Sequence, residues 1–191
     1  MVDMIKTEAL YARSENQVQV ETIQLEPLTE GEVLIKSEYS GLNYKDALAV
    51  TGKGKILRRY PLVPGIDVSG QVIESRSSQF QVGDLVLING CNLGETYNGG
   101  YSSLVKAPEK SIIPLPQLLS TKEAMAFGTA GFTAALCLYR MEVNGQSPEQ
   151  GPILITGASG GVGSFATFMF SKLGYEIIAL SGKDSSEDYL K

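Results

Sequence analysis

One glycine-rich segment of the chain is more informative than any other: Thr156-Gly157-Ala158-Ser159-Gly160-Gly161-Val162-Gly163. It follows the short apolar stretch 152–156 and precedes residues 160–173, where apolar side chains recur at helical spacing. This order predicts a strand, a tight turn and a helix. Such a turn presents backbone N–H groups and the positive end of a helix dipole to a pyrophosphate. A tight turn without a ligand is the alternative, although four glycines in seven positions exceed what packing alone requires.

The glycines of this segment have different expected roles. Gly160 allows the backbone to approach a phosphate closely, and Gly163 allows the helix to lie against the strand. Ala158 stands where the usual fingerprint has its first glycine. Residues 176–180 form a second apolar strand, so the segment predicts a βαβ unit that begins a Rossmann-type domain. The expected cofactor contacts in the turn are Ser159, Gly160, Gly161 and Val162.

The end of the second strand bears on the choice of cofactor. An NAD site has an Asp or Glu here, which binds the ribose 2′-hydroxyl. This strand instead ends in Leu180-Ser181-Gly182-Lys183. A hydroxyl and a positive charge suit a 2′-phosphate, which predicts NADPH as the cofactor with Ser181, Gly182 and Lys183 in contact with it. The alternative for Lys183 is a solvated loop lysine, and Asp184 adds a neighbouring negative charge.

The first half of the chain has a different pattern. Short apolar segments, such as Val33 and Ile35 at alternate positions, are separated by Gly and Pro from residue 5 to about 107, which predicts a β-rich barrel or sandwich. Ser120 and Glu123 form a capping-box pattern ahead of a helix. We therefore predict an α/β protein with a β-rich domain at 1–120 and an incomplete Rossmann-type nucleotide-binding domain at 121–191.

Composition excludes several functions. The chain has 191 residues, a net charge of −5 and no histidine, which removes His-ligated metals and His general bases. The acidic balance argues against nucleic-acid binding. The two cysteines, Cys91 and Cys137, are far apart, so neither structural zinc nor a disulfide framework is expected. The N-terminal residues contain no long apolar run, so we expect a cytoplasmic protein without a membrane span.

Together these segments resemble the medium-chain dehydrogenase/reductase superfamily, in which a GroES-like domain precedes a nucleotide-binding domain. The resemblance covers essentially the whole chain and is carried by four segments: Gly41-Leu42-Asn43-Tyr44-Lys45-Asp46, Pro64-Gly65-Ile66-Asp67, Val82-Gly83-Asp84-Leu85-Val86 and Gly157 to Gly163.

The zinc alcohol dehydrogenases of this superfamily have a cysteine ligand where this chain has Asn43 and a histidine ligand where it has Ile66. The chain is therefore similar to the zinc-free quinone oxidoreductase branch, and no metal site is expected. Within that branch it resembles the group of acrylyl-coenzyme A reductases and quinone oxidoreductases. Three segments carry this finer similarity: 43–48, 128–134 and 181–183.

This resemblance implies a small-molecule substrate, either an enoyl-CoA or a quinone, that receives a hydride from NADPH. With a thioester, the hydride goes to the β-carbon and a proton reaches the α-carbon of the enolate. Asn43 and Tyr44 match catalytic positions, and Tyr44 and Thr129 match cofactor contacts, as does the segment around Thr133. For Tyr44 the alternative is an aromatic residue packed under a strand, and for the threonines it is a helix turn with buried hydroxyls. Asp46 is expected to fix the loop.

Two further expectations follow from the resemblance. A complete doubly wound domain has about six strands, whereas this chain supplies two, so an unpaired apolar sheet edge is expected. The chain is consequently expected to be inactive by itself, and a homodimer is possible. A non-catalytic NADPH-binding or interaction protein is the competing interpretation. A basic group at Lys53, Lys55, Arg58 and Arg59 is interpreted either as a coenzyme A phosphate contact or as a solvated loop.

Overall fold

The structure is a computed structural model that describes residues 4–182 and 184–190. Its strands are β1 (Ile5–Ser14), β2 (Gln17–Leu25), β3 (Glu32–Ser40), β4 (Asp67–Ser75), β5 (Leu85–Asn89), β6 (Leu104–Pro108), β7 (Ile113–Pro114), β8 (Ile153–Thr156) and β9 (Ile177–Leu180). Its α-helices are α1 (Tyr44–Thr51), α2 (Thr121–Val143), α3 (Gly161–Lys172) and α4 (Glu187–Leu190), and short 3₁₀ turns occur at 109–111, 148–150 and 184–186.

The first unit is built around an antiparallel sheet. Its five strands have the order β6-β3-β4-β5-β7, and β1 and β2 form a separate antiparallel hairpin. Alternate residues of the sheet face a core in which Val33 and Ile35 of β3 meet Val68 and Val72 of β4. The period-two pattern predicted this arrangement, because successive side chains of a strand point to opposite faces. The α/β architecture with a β-rich first half is confirmed.

Helix α2 begins as the sequence predicts. The backbone N–H and the hydroxyl of Ser120 donate to Glu123 Oε2 at 2.8 and 2.6 Å, and Glu123 N donates back to Ser120 Oγ at 3.2 Å. The helix is interrupted at Gly128, whose φ of 51° and ψ of −157° are not helical.

The contacts divide the chain into residues 1–129 and 130–191. The first turns of α2 pack on the first unit, where Ala124 and Met125 lie against Leu87. This packing places the division later than the predicted domain boundary between residues 120 and 121.

The second unit contains the βαβ arrangement. Strands β8 and β9 pair in parallel, with Ile153 opposite Ile177, and α3 connects them. One face of this pair packs with Phe170 and Ala166 of α3. On the other face the large side chains are exposed, namely Leu154 at 58%, Ile178 at 51% and Leu180 at 54%.

Among the described residues, none of the helices combines the length and the apolar character required to cross a bilayer.

Candidate functional site

A buried carboxylate organises the first unit. Asp67 is fully buried at the start of β4, and its two oxygens accept four hydrogen bonds. Asn43 Nδ2 donates to Oδ2 at 2.8 Å, and Asn89 Nδ2 donates to Oδ1 at 2.9 Å. Thr129 donates from its backbone N at 2.9 Å and from its hydroxyl at 2.5 Å. Because an ionised carboxylate only accepts, this set of donors satisfies Asp67 without a cation, and no ion pair to it occurs within 4–182 and 184–190.

Two glycines allow the chain to approach this carboxylate. A Cβ at Gly41 would lie 2.9 Å from Asp67 Cβ, and one at Gly128 would lie 2.9 Å from Asp67 Oδ2. Gly128 also has the positive φ that interrupts α2, and the break precedes the residue whose N–H reaches Asp67. The break in the helix therefore directs the Thr129 donors to the site.

Asn43 links Asp67 to a second buried acid. Its side-chain Nδ2 lies 3.2 Å from Asp46 Oδ2, which also accepts from the Asn43 backbone N at 2.9 Å. The other oxygen of Asp46 accepts from Ile66 N at 3.0 Å. Asp46 is 1% exposed, and these contacts bear out the expectation that it fixes the loop. The Asn43 amide is consequently held between two carboxylates at the start of α1.

The structure excludes one interpretation of Tyr44, that of an aromatic residue packed under a strand. It is the first residue of α1 and is 80% exposed, so it does not pack under a strand. Its phenol is available to a molecule bound beside Asn43. Its assignments to catalysis and to cofactor contact stay predictions.

Tyr101 is an unexpected neighbour of this group. Its hydroxyl donates to the carbonyl of Gly41 at 3.1 Å. Burial raises the pKa of Tyr101 well above its usual range, and the negative charges of Asp46 and Asp67 raise it further. The phenol is therefore a neutral hydrogen-bond donor that holds the loop ahead of Asn43.

The glycine-rich turn in the second unit has the geometry expected of it. Ala158 is fully buried, and its N donates to Leu180 O at 3.1 Å, which joins the turn to the end of β9. A Cβ at Gly163 would lie 2.2 Å from Gly157 O and 2.7 Å from Ala158 Cα. Gly163 is thus required for close packing of α3 against the turn. Gly161, by contrast, is exposed, and a Cβ there would meet Ala130 Cβ only at 3.5 Å.

The predicted cofactor contacts lie around the end of this turn. Gly160 is the N-cap of α3, and Gly161 and Val162 are its first residues, where the leading N–H groups of a helix lack intrahelical acceptors. A groove of about 470 Å³ lies beside them, lined by Ser159, Gly160, Gly161, Ser164, Phe165, Phe168 and Tyr189.

The tip of β9 reaches the same turn. The hydroxyls of Ser159 and Ser181 lie 2.9 Å apart. Gly182 is exposed, and Lys183 lies outside the described residues. The structure therefore brings Ser159, Gly160, Gly161, Val162 and Ser181 together in the second unit, and Asn43, Tyr44 and Thr129 in the first.

No cluster of three or more metal-ligating His, Cys, Asp or Glu occurs in the part of the chain that the structure describes. Ile66 is buried, and the Asn43 amide points its nitrogen at two carboxylates. A metal-free site stays a prediction.

Sequence reasoning noted Asp67 only as part of a motif and missed its role as the common acceptor. The available signal was an acid between Ile66 and Val68, since a charged residue in an apolar strand is buried only when it is paired or hydrogen-bonded. Asn89 gave no comparable signal.

Comparisons with known proteins find relatives over most of the chain. Residues 29–117 match the family model of the alcohol dehydrogenase GroES-like domain. YhfP of Bacillus subtilis, which carries a quinone oxidoreductase name, is 50% identical over 91% of this chain and 53% of its own length. The acrylyl-CoA reductase AcuI of Ruegeria pomeroyi is 45% identical, again over 91% of this chain and 53% of its own length.

Solved structures of related proteins also match this chain. The crystal structure of YhfP with NAD bound matches with a TM-score of 0.90 and 47% identity, covering 97% of this chain and 57% of that one. The structure of Escherichia coli YhdH with bound NADPH matches with a TM-score of 0.86 and 43% identity, covering 95% and 57%. The chain spans about half the length of the curated relatives it matches. The chain therefore has a GroES-like domain followed by Rossmann-like elements, and in both respects it is similar to the medium-chain dehydrogenase/reductase proteins.

Proposed function

We propose that this chain forms part of an NADPH-dependent reductase that transfers a hydride to the activated carbon–carbon double bond of an acrylyl-type CoA thioester. The observation that carries the proposal is the Asp67-centred group: Asn43 and Thr129, which the resemblance assigns to the reacting end of the cofactor, both donate to this one buried carboxylate. Similarity to AcuI supports the thioester. Similarity to YhfP favours a quinone as the second candidate substrate.

The residues of the glycine-rich turn fit a dinucleotide. Gly163 lets α3 approach the turn, the exposed Gly161 leaves room for a phosphate, and the N-terminus of α3 supplies N–H donors. Ser181 would bind the adenosine ribose, with Gly182 and Lys183 beside it. The absence of an acid in 180–183 supports NADPH over NADH. Of the relatives, YhdH was crystallised with NADPH and YhfP with NAD.

NADPH, when bound, supplies the hydride, and the protein supplies position and polarity. Asn43 would keep its place because Asp46 and Asp67 hold its amide, and it would orient the cofactor or the thioester. The exposed phenol of Tyr44 would donate a hydrogen bond or a proton where the enolate develops. Neither role requires a metal ion.

The first test is a fluorescence titration of the 191-residue chain with NADPH, with NADH as the control. A lower Kd for NADPH would support the assignment of Ser181–Lys183 to a 2′-phosphate. Equal or tighter binding of NADH would contradict the NADPH assignment.

The second test measures turnover. Because the chain spans about half of its relatives, residues 1–191 would be joined to the remaining part of AcuI, and NADPH oxidation would be followed with acrylyl-CoA and with quinones. We expect faster oxidation with the thioester. If NADPH binds but no thioester or quinone is reduced, the non-catalytic interpretation replaces this proposal.

A further inference from the structure

The loop between α1 and β4 carries a concentrated positive charge on a chain whose net charge is −5. We name residues 52–60 the basic loop. No Asp or Glu occurs between Asp46 and Asp67, so the loop has no acid of its own. Four of the chain's 16 lysines and arginines lie in it, namely Lys53, Lys55, Arg58 and Arg59.

The backbone of the basic loop is held in place from two sides. Leu57 is 7% exposed and packs in a cluster with Ala12 and Leu62. The opposite side is tied to the segment 92–97, where Arg58 N donates to Glu95 O at 2.8 Å and Arg59 Nε donates to Thr96 O at 2.9 Å. An ordered backbone lowers the entropy cost of binding a ligand.

The charges themselves are not neutralised by the protein. All four cationic side chains are in exposed residues, and none of them forms an ion pair among the residues that the structure describes. The carboxylate of Glu95, which lies on the segment that holds the loop, is instead paired with Lys45 at 2.5 Å. The basic loop therefore presents its charge to solvent, as expected of a surface that binds a polyanion.

The position of the basic loop indicates which polyanion it binds. Helix α1 starts beside the Asn43 and Tyr44 site and ends at the basic loop, and its eight residues span about 12 Å. A coenzyme A thioester has the same arrangement of chemistry, with an acyl group at one end, a flexible pantetheine arm, and a diphosphate and a 3′-phosphate at the other. A quinone has no group that would use these cations.

We propose that the basic loop binds the phosphate groups of coenzyme A while the acyl thioester lies at Asn43 and Tyr44. This inference rests on the proposed reductase function and narrows its substrate class from a thioester or a quinone to a coenzyme A thioester.

The test measures binding directly, so it does not depend on turnover. Calorimetric titration of the 191-residue chain would compare coenzyme A with dephospho-coenzyme A at low and high salt. The key variant is Lys53→Glu/Lys55→Glu, and the matched control is Lys110→Glu/Lys122→Glu, which changes the net charge equally at exposed positions elsewhere. Circular dichroism of each variant checks that the chain remains folded.

We expect coenzyme A to bind more tightly than dephospho-coenzyme A and to bind more weakly at high salt. The loop variant should weaken coenzyme A binding by about tenfold or more, and the control by no more than about twofold. Because the glycine-rich turn can also bind a phosphate, loss of affinity in the loop variant alone assigns the ligand to the loop.

Three results would overturn the inference: no binding of coenzyme A, equal binding of the two forms, or equal weakening in both variants. Its failure is distinguishable from failure of the proposed function. If residues 1–191 joined to the remaining part of AcuI reduce the thioester equally well with and without Lys53→Glu/Lys55→Glu, only the loop assignment is rejected. Loop-dependent coenzyme A binding without reduction of any substrate rejects only the reductase.

Discussion

Asn43 Nδ2 lies 2.8 Å from Asp67 Oδ2, so a residue at the start of a helix and a residue at the start of a strand are joined through a buried charge. The same carboxylate accepts from Asn89 and from Thr129. The place of Asn43 in the candidate site thus depends on a buried acid that also holds Asn89 and Thr129.

Replacing Asp67 with Asn should destabilise the first unit. The side-chain amide of asparagine has an NH₂ group in place of one carboxylate oxygen, so the donors that contacted that oxygen now face another donor, and at least one buried donor loses its partner. Buried hydrogen bonds to charged groups contribute about 1.5–3 kcal/mol each. We expect the free energy of unfolding to fall by about 2–4 kcal/mol in urea denaturation. Glu74→Gln, an exposed acid on the same strand, is the control and should change it by less than about 0.5 kcal/mol.

Two glycine substitutions should separate stability from cofactor binding. Gly163→Ala places a Cβ 2.2 Å from Gly157 O, so α3 must move away from the turn, and both thermal stability and NADPH affinity should fall. Gly161→Ala meets only Ala130 Cβ at 3.5 Å and should leave the melting temperature within a few degrees. It should nevertheless weaken NADPH binding, because the added methyl group occupies the approach of the phosphate. Unchanged NADPH affinity in Gly161→Ala would remove the turn from the cofactor site.

Cofactor preference should respond to Ser181. An aspartate at this position can accept a hydrogen bond from a ribose 2′-hydroxyl and repels a 2′-phosphate. Ser181→Asp should therefore raise the Kd for NADPH and lower that for NADH in fluorescence titrations. Ser181→Ala is the control for loss of the hydroxyl contact with Ser159. If Ser181→Asp and Ser181→Ala change the two Kd values in the same way, Ser181 does not recognise the ribose 2′-position.

Alkaline pH should destabilise the chain partly through Tyr101. Burial and the charges of Asp46 and Asp67 raise its pKa in the folded state. The stabilisation from this raised pKa is fully present below the unfolded value of about 10 and is lost as pH rises above it. In Tyr101→Phe, the free energy of unfolding should fall less between pH 8 and pH 11 than it does in the wild type. Any loss that comes from the missing Gly41 contact is constant over this range and is separate from this pH dependence. Tyr44→Phe, at an exposed position, should leave this pH dependence as it is in the wild type.

The exposed face of the β8–β9 pair should promote self-association. Leu154 and Ile178 are more than half exposed on it, and apolar surface of this kind favours contact with another apolar surface. Light scattering of the 191-residue chain should show dimers or larger species, and Leu154→Thr/Ile178→Thr should lower their fraction. Leu118→Thr, at a residue that is 96% exposed by itself, should have little effect. A monomer at all concentrations would contradict this expectation.

Several features could be predicted from local sequence because their causes are local. The capping box at Ser120 and Glu123 needs only four residues, and the strand, glycine-rich turn and helix at 153–172 need only their hydrophobic period and their glycines. The requirement for Gly163 also followed from the motif, since helix and strand must approach closely at that point. The exposure of Tyr44 could not be predicted in this way, because exposure depends on what packs over a residue.

By itself, the sequence determined the β-rich first half, the βαβ arrangement that follows it and the residue types available for chemistry, with histidine excluded. Only the tertiary structure decided that Asp67 is the common acceptor, because its donors lie 22, 24 and 62 residues away along the chain. Their convergence depends on the sheet register around β4 and on the break at Gly128. Periodicity and turn chemistry describe neighbours in sequence, whereas a buried carboxylate is satisfied by whatever donors the fold brings to it.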